Sequence, residues 1–298
     1  MKMSPLPVSL SGRDYLRVSD LVPAEVEAIL DLAVTLKADP KPHLAGKTLG
    51  LFFAQPSTRT RISFSVAIAQ LGGDAVTLLP SEMQMARGES LEDTCEVLSR
   101  YLNALAIRTL SHPELEAWAD AASIPVINAL TADEHPCQAL ADALTIRQRL
   151  GGLDGVRIAW VGDGTNVLVS LASVAKLTGM HVVAACPEGY EPPRGTPIDL
   201  VRDPREAARG ADVLVTDIWV SLGQEATRAE RTRDLEPYRL DESLVELASP
   251  EAIVLHCLPA HPGEEIAPEA LYGEHSAVWD EAENRLHVQK ALLAMLLA

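Results

Sequence analysis

Val156-Arg157-Ile158-Ala159-Trp160-Val161-Gly162-Asp163-Gly164-Thr165-Asn166 is an apolar run closed by a tight, glycine-containing turn. A helical pattern follows to about Thr178, where Gly179 stops it. The next apolar run covers residues 181–186. Shorter runs follow at 213–216, 253–256 and 277–279, with a short helix predicted over 205–209. The chain closes with a helix from about Glu281 that carries Leu286, Ala291, Leu293 and Leu296. Strands alternating with helices at this spacing predict a doubly wound parallel sheet.

The N-terminal half repeats the alternation. Residues 20–37 read as a helix with Pro23 in its first turn and Val26, Ile29, Leu30 and Ala33 on one face. Strands are predicted at 49–53, 75–79, 104–108 and 126–129, and helices at 91–101 and 115–122. Asp133 to Gln138 opens another helix, carrying Leu140, Leu144 and Ile146, which Gly151-Gly152 breaks. The expected fold class is therefore α/β: two doubly wound parallel-sheet domains with a substrate cleft between them. The crossing from one to the other is placed near His135.

The chain has 298 residues, 47% hydrophobic and 22% charged, which suits a globular protein with a large core. Its formal net charge of −17 argues against general nucleic-acid binding, which needs basic surface to displace counterions. It also makes any arginine cluster informative, because local positive charge must then overcome the global field. No signal peptide or run of about 18 apolar residues is evident, so a cytoplasmic location and no membrane partner are expected. The four cysteines, at 95, 137, 186 and 257, are widely spaced, with no metal pair such as C-x-x-C, and no metal is expected.

Ser57-Thr58-Arg59-Thr60-Arg61 lies between an apolar run and a helical face made by Phe64, Ala67, Ile68 and Leu71. The first N–H groups of a helix lack intrahelical partners, so this junction favours an anion, and phosphate suits it best. A plain N-cap needs one hydroxyl, whereas here there are three with two arginines. Arg108 ends a predicted strand, at the edge that faces the ligand crevice in open parallel sheets. His135 stands at the domain crossing.

In the second half, Gly162-x-Gly164 begins a dinucleotide fingerprint, with Glu188 where a ribose-binding carboxylate belongs, but Val167 replaces the third glycine. Three other spots fall at predicted strand ends: Asn166, the segment Asp217 to Gly223, and His256-Cys257-Leu258-Pro259. A carboxylate, a hydroxyl and an amide at one sheet edge suit an amino acid's ammonium and carboxylate.

Taken together, Ser57 to Arg61, Arg108-Thr109, His135-Pro136-x-Gln138, Asp217-x-x-x-Ser221-x-Gly223, His256 to Pro259 and Asn284-Arg285 resemble the aspartate/ornithine carbamoyltransferase family over nearly the whole chain. The Asp217-x-x-x-Ser221 and His256 to Pro259 motifs point to its ornithine branch. The resemblance implies a carbamoyl-phosphate-binding domain over residues 1–133 and an ornithine-binding domain over 134–280, with the helix 281–298 packed back on the first. It implies that Ser57, Thr58, Arg59 and Thr60 bind the phosphate of carbamoyl phosphate, and that Arg108, His135 and Gln138 hold its carbamoyl group and phosphate. Cys257, Leu258 and Arg285 would line the reacting centre. Gln84 would reach into a neighbouring subunit's site, which implies a homotrimer or a multiple of trimers. Asn166, Asp217, Ser221 and Leu222 would bind ornithine. Catalysis would rest on Arg59, Arg108, His135, Cys257 and Arg285, with no cofactor and no metal.

One position departs from the family pattern: Leu222 stands where methionine is usual, a swap close in volume and still apolar. Putrescine and acylated ornithine are the near alternatives as acceptor, although His256 argues against the acetylornithine type. Two other classes are an anion-binding assembly partner without activity and a dinucleotide-dependent oxidoreductase.

Overall fold

The computed structural model describes residues 8–221 and 223–297. Leu222 lies outside them. The chain forms two compact units, Met1–Leu140 with Arg285–Ala298, and Ala141–Asn284.

The first unit opens with helix α1 (Pro23–Ala38), whose buried Val26, Ile29, Leu30, Ala33 and Leu36 follow helical spacing. Then come β1 (Thr48–Phe53), α2 (Thr58–Gln70), β2 (Asp74–Leu78), α3 (Leu91–Tyr101), β3 (Ala104–Arg108), α4 (His112–Ala121), β4 (Val126–Leu130) and α5 (Pro136–Leu150), which runs on into the second unit. All four strands are parallel, in the order β2-β1-β3-β4. Strands β1 and β3 are buried almost throughout, as expected of central parallel strands covered on both faces. Gly50 in β1 has no room for a side chain. A Cβ there would lie 2.6 Å from Leu102 and 2.7 Å from Leu105.

The second unit continues with β5 (Arg157–Val161), α6 (Asn166–Thr178), β6 (His181–Ala185), β7 (Asp199–Val201), α7 (Pro204–Ala208), β8 (Val213–Thr216), α8 (Arg228–Leu235), α9 (Glu242–Val245), β9 (Ile253–His256), α10 (Pro268–Tyr272) and the start of α11 (Val278–Leu297). Its parallel sheet has the order β7-β6-β5-β8-β9. Ala159, Val161, Leu214 and Val254 from three adjacent strands share one core cluster with Ala207, Leu244 and Leu271 from the covering helices. The α/β, parallel-sheet reading of the sequence is borne out.

Several features differ from the sequence expectations, which had no counterpart for α8, α9 and α10. The strand expected over 277–279 is absent. Beside β9 there is a single bridge, Val254 with Ser276, and Ala277 donates to Val254 O at 2.9 Å. The chain then turns at once into α11, so that helix starts at Val278 and not at Glu281. The three-residue β7 escaped the sequence reading, because its mostly exposed Asp199-Leu200-Val201 offers no apolar run.

In both sheets the chain leaves the first strand in one direction and later adds strands on its other side. The strand order therefore reverses between β1 and β3, and again between β5 and β8. Ligands of open α/β sheets bind outside the carboxyl ends of the strands at such points.

Candidate functional site

In the first unit, Ser57 caps α2 with extended backbone, and its Oγ accepts from the Thr60 N–H at 3.3 Å. Thr58 and Arg59 occupy the exposed first turn, while Thr60 is buried. This is the positive end of the helix dipole. Register pairing sets Arg108, the last residue of β3, opposite Phe53 of β1, four residues before Ser57. Arg108 is half-buried there, and its carbonyl accepts from Ala54 N–H at 2.9 Å. His135 directly precedes α5, and its carbonyl accepts the N–H groups of Gln138 and Ala139. Both His135 and Gln138 are buried.

Arg285, in the part of α11 that belongs to this unit, ties these side chains together. One guanidinium nitrogen donates to Thr60 Oγ1 at 2.6 Å. The other lies 3.3 Å from His135 Nε2 and donates to Gln138 Oε1. A guanidinium only donates, so His135 Nε2 must be the accepting, unprotonated nitrogen. The electrostatics agree. Burial first, then the charges of Arg285 and Arg108, hold the His135 pKa well below the ordinary 6.5. The group thus offers guanidinium, hydroxyl and amide donors beside a neutral imidazole, arranged to receive an anion with a polar carbonyl. Gln84 is exposed on a single 3-10 turn, Gln84–Arg87.

In the second unit, two predicted residues, Asp217 and Cys257, meet at neighbouring strand ends, and Thr165 joins them. Asp217 follows β8, Cys257 follows β9, and Thr165-Asn166 follow β5. The Cys257 thiol donates to Asp217 Oδ1 at 3.3 Å, and Thr165 Oγ1 donates to Asp217 Oδ2 at 3.0 Å. The Asp217 carboxylate also accepts the Ile218 N–H at 2.8 Å. Burial, followed by the carboxylates of Asp217, Glu281 and Asp142, pushes the Cys257 thiol well above its usual 9.0. It is a hydrogen-bond donor, not a thiolate nucleophile. Asn166 and Ser221 are half-buried close by in sequence, the Ser221 N–H bonded to Gln224 Oε1 at 3.0 Å.

The turn at Cys257 is braced from behind. Leu258 adopts φ 56°, the left-handed region that ordinary side chains avoid. Its N–H donates to His256 Nδ1 at 2.9 Å, while His256 Nε2 faces Glu265 Oε1 at 3.2 Å. The ring is therefore the Nε2–H tautomer. Burial raises the Glu265 carboxyl, but bonds from His256, the His261 N–H and its own N–H together bring it below 4.5. The His256 N–H donates to Glu281 Oε2 at 2.8 Å.

Gly162-Asp163-Gly164 has a structural explanation. A Cβ on Gly164 would lie 2.2 Å from Pro192 N, so the glycine admits a neighbouring backbone segment. Sequence reasoning missed Thr165, Glu265 and Glu281. Thr165 carried a cap signal, since its Oγ1 accepts the Val167 N–H. The two glutamates carried none. Leu222 remains outside the described residues.

A parallel α/β chain with a polar cluster built around Arg285 beyond the strand ends of one sheet, and a thiol–carboxylate pair beyond those of the other, has the features of an α/β protein that binds polar ligands at its strand ends. Residues 13–148 match the family model for the aspartate/ornithine carbamoyltransferase carbamoyl-P binding domain, and residues 154–296 that for the Asp/Orn binding domain. The chain belongs to the aspartate/ornithine carbamoyltransferase family. It is 50% identical over 307 residues to the ornithine carbamoyltransferase of Carboxydothermus hydrogenoformans, covering 97% of this chain and 99% of that one. Among solved structures, ornithine carbamoyltransferase from Pyrococcus furiosus aligns with a TM-score of 0.93 at 44% identity, over 97% of this chain and 98% of that one. The enzyme of the same name from Thermus thermophilus gives 0.90 at 44% identity, over 96% and 99%.

Proposed function

We propose that this chain transfers the carbamoyl group of carbamoyl phosphate to the δ-amine of L-ornithine, giving L-citrulline and phosphate. The observation that carries the reading is Arg285 joining Thr60, His135 and Gln138 into one buried donor group beside the capped α2 terminus. The similarity to ornithine carbamoyltransferases at 50% identity over nearly full length supports it.

In this mechanism Ser57, Thr58, Arg59 and Thr60 hold the phosphate at the α2 terminus. Arg108, His135 and Gln138 hold the carbamoyl group. The neutral δ-amine of ornithine attacks the carbonyl carbon. Charge develops on the carbonyl oxygen, where Thr60, Arg108, His135 and Arg285 stabilise it. The bond from carbon to the phosphate oxygen then breaks, phosphate leaves toward Arg59, and the amine nitrogen loses a proton. The amine is already the nucleophile, so orientation and charge stabilisation are the enzyme's task. Asn166, Asp217, Ser221 and Leu222 grip the amino acid, and Cys257 and Leu258 face the reacting centre. The acceptor is where a second reading stands: putrescine or an acylated ornithine would use the same donor chemistry.

The first unit serves as the carbamoyl-phosphate-binding part and the second as the ornithine-binding part. We assign the enzyme to the cytoplasm and to arginine biosynthesis. Among the described residues no helix is long and apolar enough to cross a membrane. A homotrimer or a multiple of trimers fits the exposed edge strand β2, which offers unpaired backbone groups to a second copy, and the individually exposed apolar Ile62, Val76 and Leu79. Gln84 would reach the neighbouring subunit's site from it.

The test is citrulline formation by the wild-type protein and Arg59→Ala. Loss of one charge-stabilising donor lowers turnover on the order of 100-fold or more. Transfer left intact in Arg59→Ala would refute the assignment of the anion site.

A further inference from the structure

Arg231, on α8, is a partly buried arginine with no part in the reaction described above. Its side chain is 12% exposed and reaches three separate pieces of the second unit. Nε donates to Trp219 O at 2.5 Å. A terminal nitrogen donates to Asp163 Oδ2, an oxygen of a side chain that is itself 15% exposed. The guanidinium also lies over the Tyr190 ring, 5.1 Å from its centroid, and Tyr190 Oη donates to Asp234 at 3.1 Å.

The three pieces matter because of what they carry. Asp163 sits in the turn after β5, and its carbonyl accepts the Thr165 N–H at 2.9 Å. Thr165 in turn bonds Asp217 and precedes Asn166. Trp219 lies midway between Asp217 and Ser221. We propose that Arg231, paired with Asp163, is a positioning residue that holds the segment 217–221 in register with the turn 162–166, and so sets affinity for the amine substrate.

A planar fork is required. One arm takes a carbonyl and the other a carboxylate, a geometry that lysine's single ammonium cannot reproduce. A misplacement of about 1 Å in a positioning element costs up to about 100-fold in productive binding or turnover. The proposal rests on the ornithine carbamoyl-transfer reading.

The experiment compares Arg231→Met, Arg231→Lys, Asp163→Asn and the double variant Asp163→Asn/Arg231→Met with the wild-type chain. Citrulline kinetics give KM for ornithine and kcat, and calorimetry gives the affinity for carbamoyl phosphate. Arg231→Met should raise KM for ornithine about 10-fold or more, with Arg231→Lys in between and carbamoyl phosphate affinity unchanged within about twofold. The double variant should be little worse than the worse single variant, because both substitutions cut one connection. If Arg231→Met does not fold, Asp163→Asn and Arg231→Lys carry the comparison. An unchanged ornithine KM in the folded variants, an equal loss of carbamoyl phosphate affinity, or simple additivity would overturn the proposal. Failure of the wild-type protein to form citrulline would instead overturn the reading on which it rests.

Discussion

The Cys257 thiol donates a hydrogen bond to Asp217 Oδ1 across 3.3 Å, joining the residues that follow β9 and β8. Burial first, and then the carboxylate, keeps the sulfur protonated, and the carboxylate is itself oriented by Thr165. Cys257 is therefore held as a hydrogen-bond donor to Asp217 and not as a thiolate. Cys257→Ser, which keeps a donor, should retain substantially more activity than Cys257→Ala. Alkylation by iodoacetamide at pH 8 should be slow, because burial and the nearby carboxylates hold the thiol well above 9.0. Rapid alkylation of Cys257 at that pH, traced by peptide mass, would contradict this assignment.

Arg285 is the second point of leverage. It bonds Thr60 and Gln138, both buried. Arg285→Lys leaves at least one of these without its donor, at a cost of about 1–3 kcal/mol in stability. Turnover should fall on the order of 100-fold or more, since the variant also loses a donor aimed at developing charge. Thermal unfolding with and without carbamoyl phosphate, alongside kinetics, separates the two effects. Wild-type turnover in Arg285→Lys would remove it from the mechanism.

His135 gives a pH signature. Its folded pKa is depressed below 6.5 by burial, Arg285 and Arg108. The unfolded chain takes up a proton as pH falls through about 6.5, while the folded chain refuses it. Stability from this group is present above that pH and is lost as pH falls below it toward the folded pKa. His135→Gln should flatten part of the decline in melting temperature between pH 7.5 and 5.5. A decline of unchanged slope in the variant would mean that His135 is not held neutral.

The candidate anion-binding residues of the first unit were legible because they are nearly contiguous. Ser57 to Arg61 supplies cap, hydroxyls and arginines in five residues, and Arg108 and His135 sit where strand ends must lie. The candidate residues of the second unit were legible as positions but not as contacts. Asp217 and Cys257 are 40 residues apart, and only the adjacency of β8 and β9 in the sheet brings them together. The Arg231–Asp163 pair, 68 residues apart, and the Glu265 brace of His256 left no local pattern. Each is a polar residue in a stretch that also reads as ordinary surface, and its burial is a product of tertiary packing. The same holds for Ala277 to Trp279. The apolar pattern was real, but a single bridge to Val254 and the turn into α11 decided its structure.

The most direct measurement is a product assay with carbamoyl phosphate and, in parallel, L-ornithine, putrescine and N-acetylornithine, reported as kcat/KM for each amine. Citrulline should form from ornithine, with a kcat/KM well above those of the other two. A higher kcat/KM for putrescine or N-acetylornithine would contradict the acceptor assignment, and no carbamoyl transfer to any of the three would contradict the function as a whole.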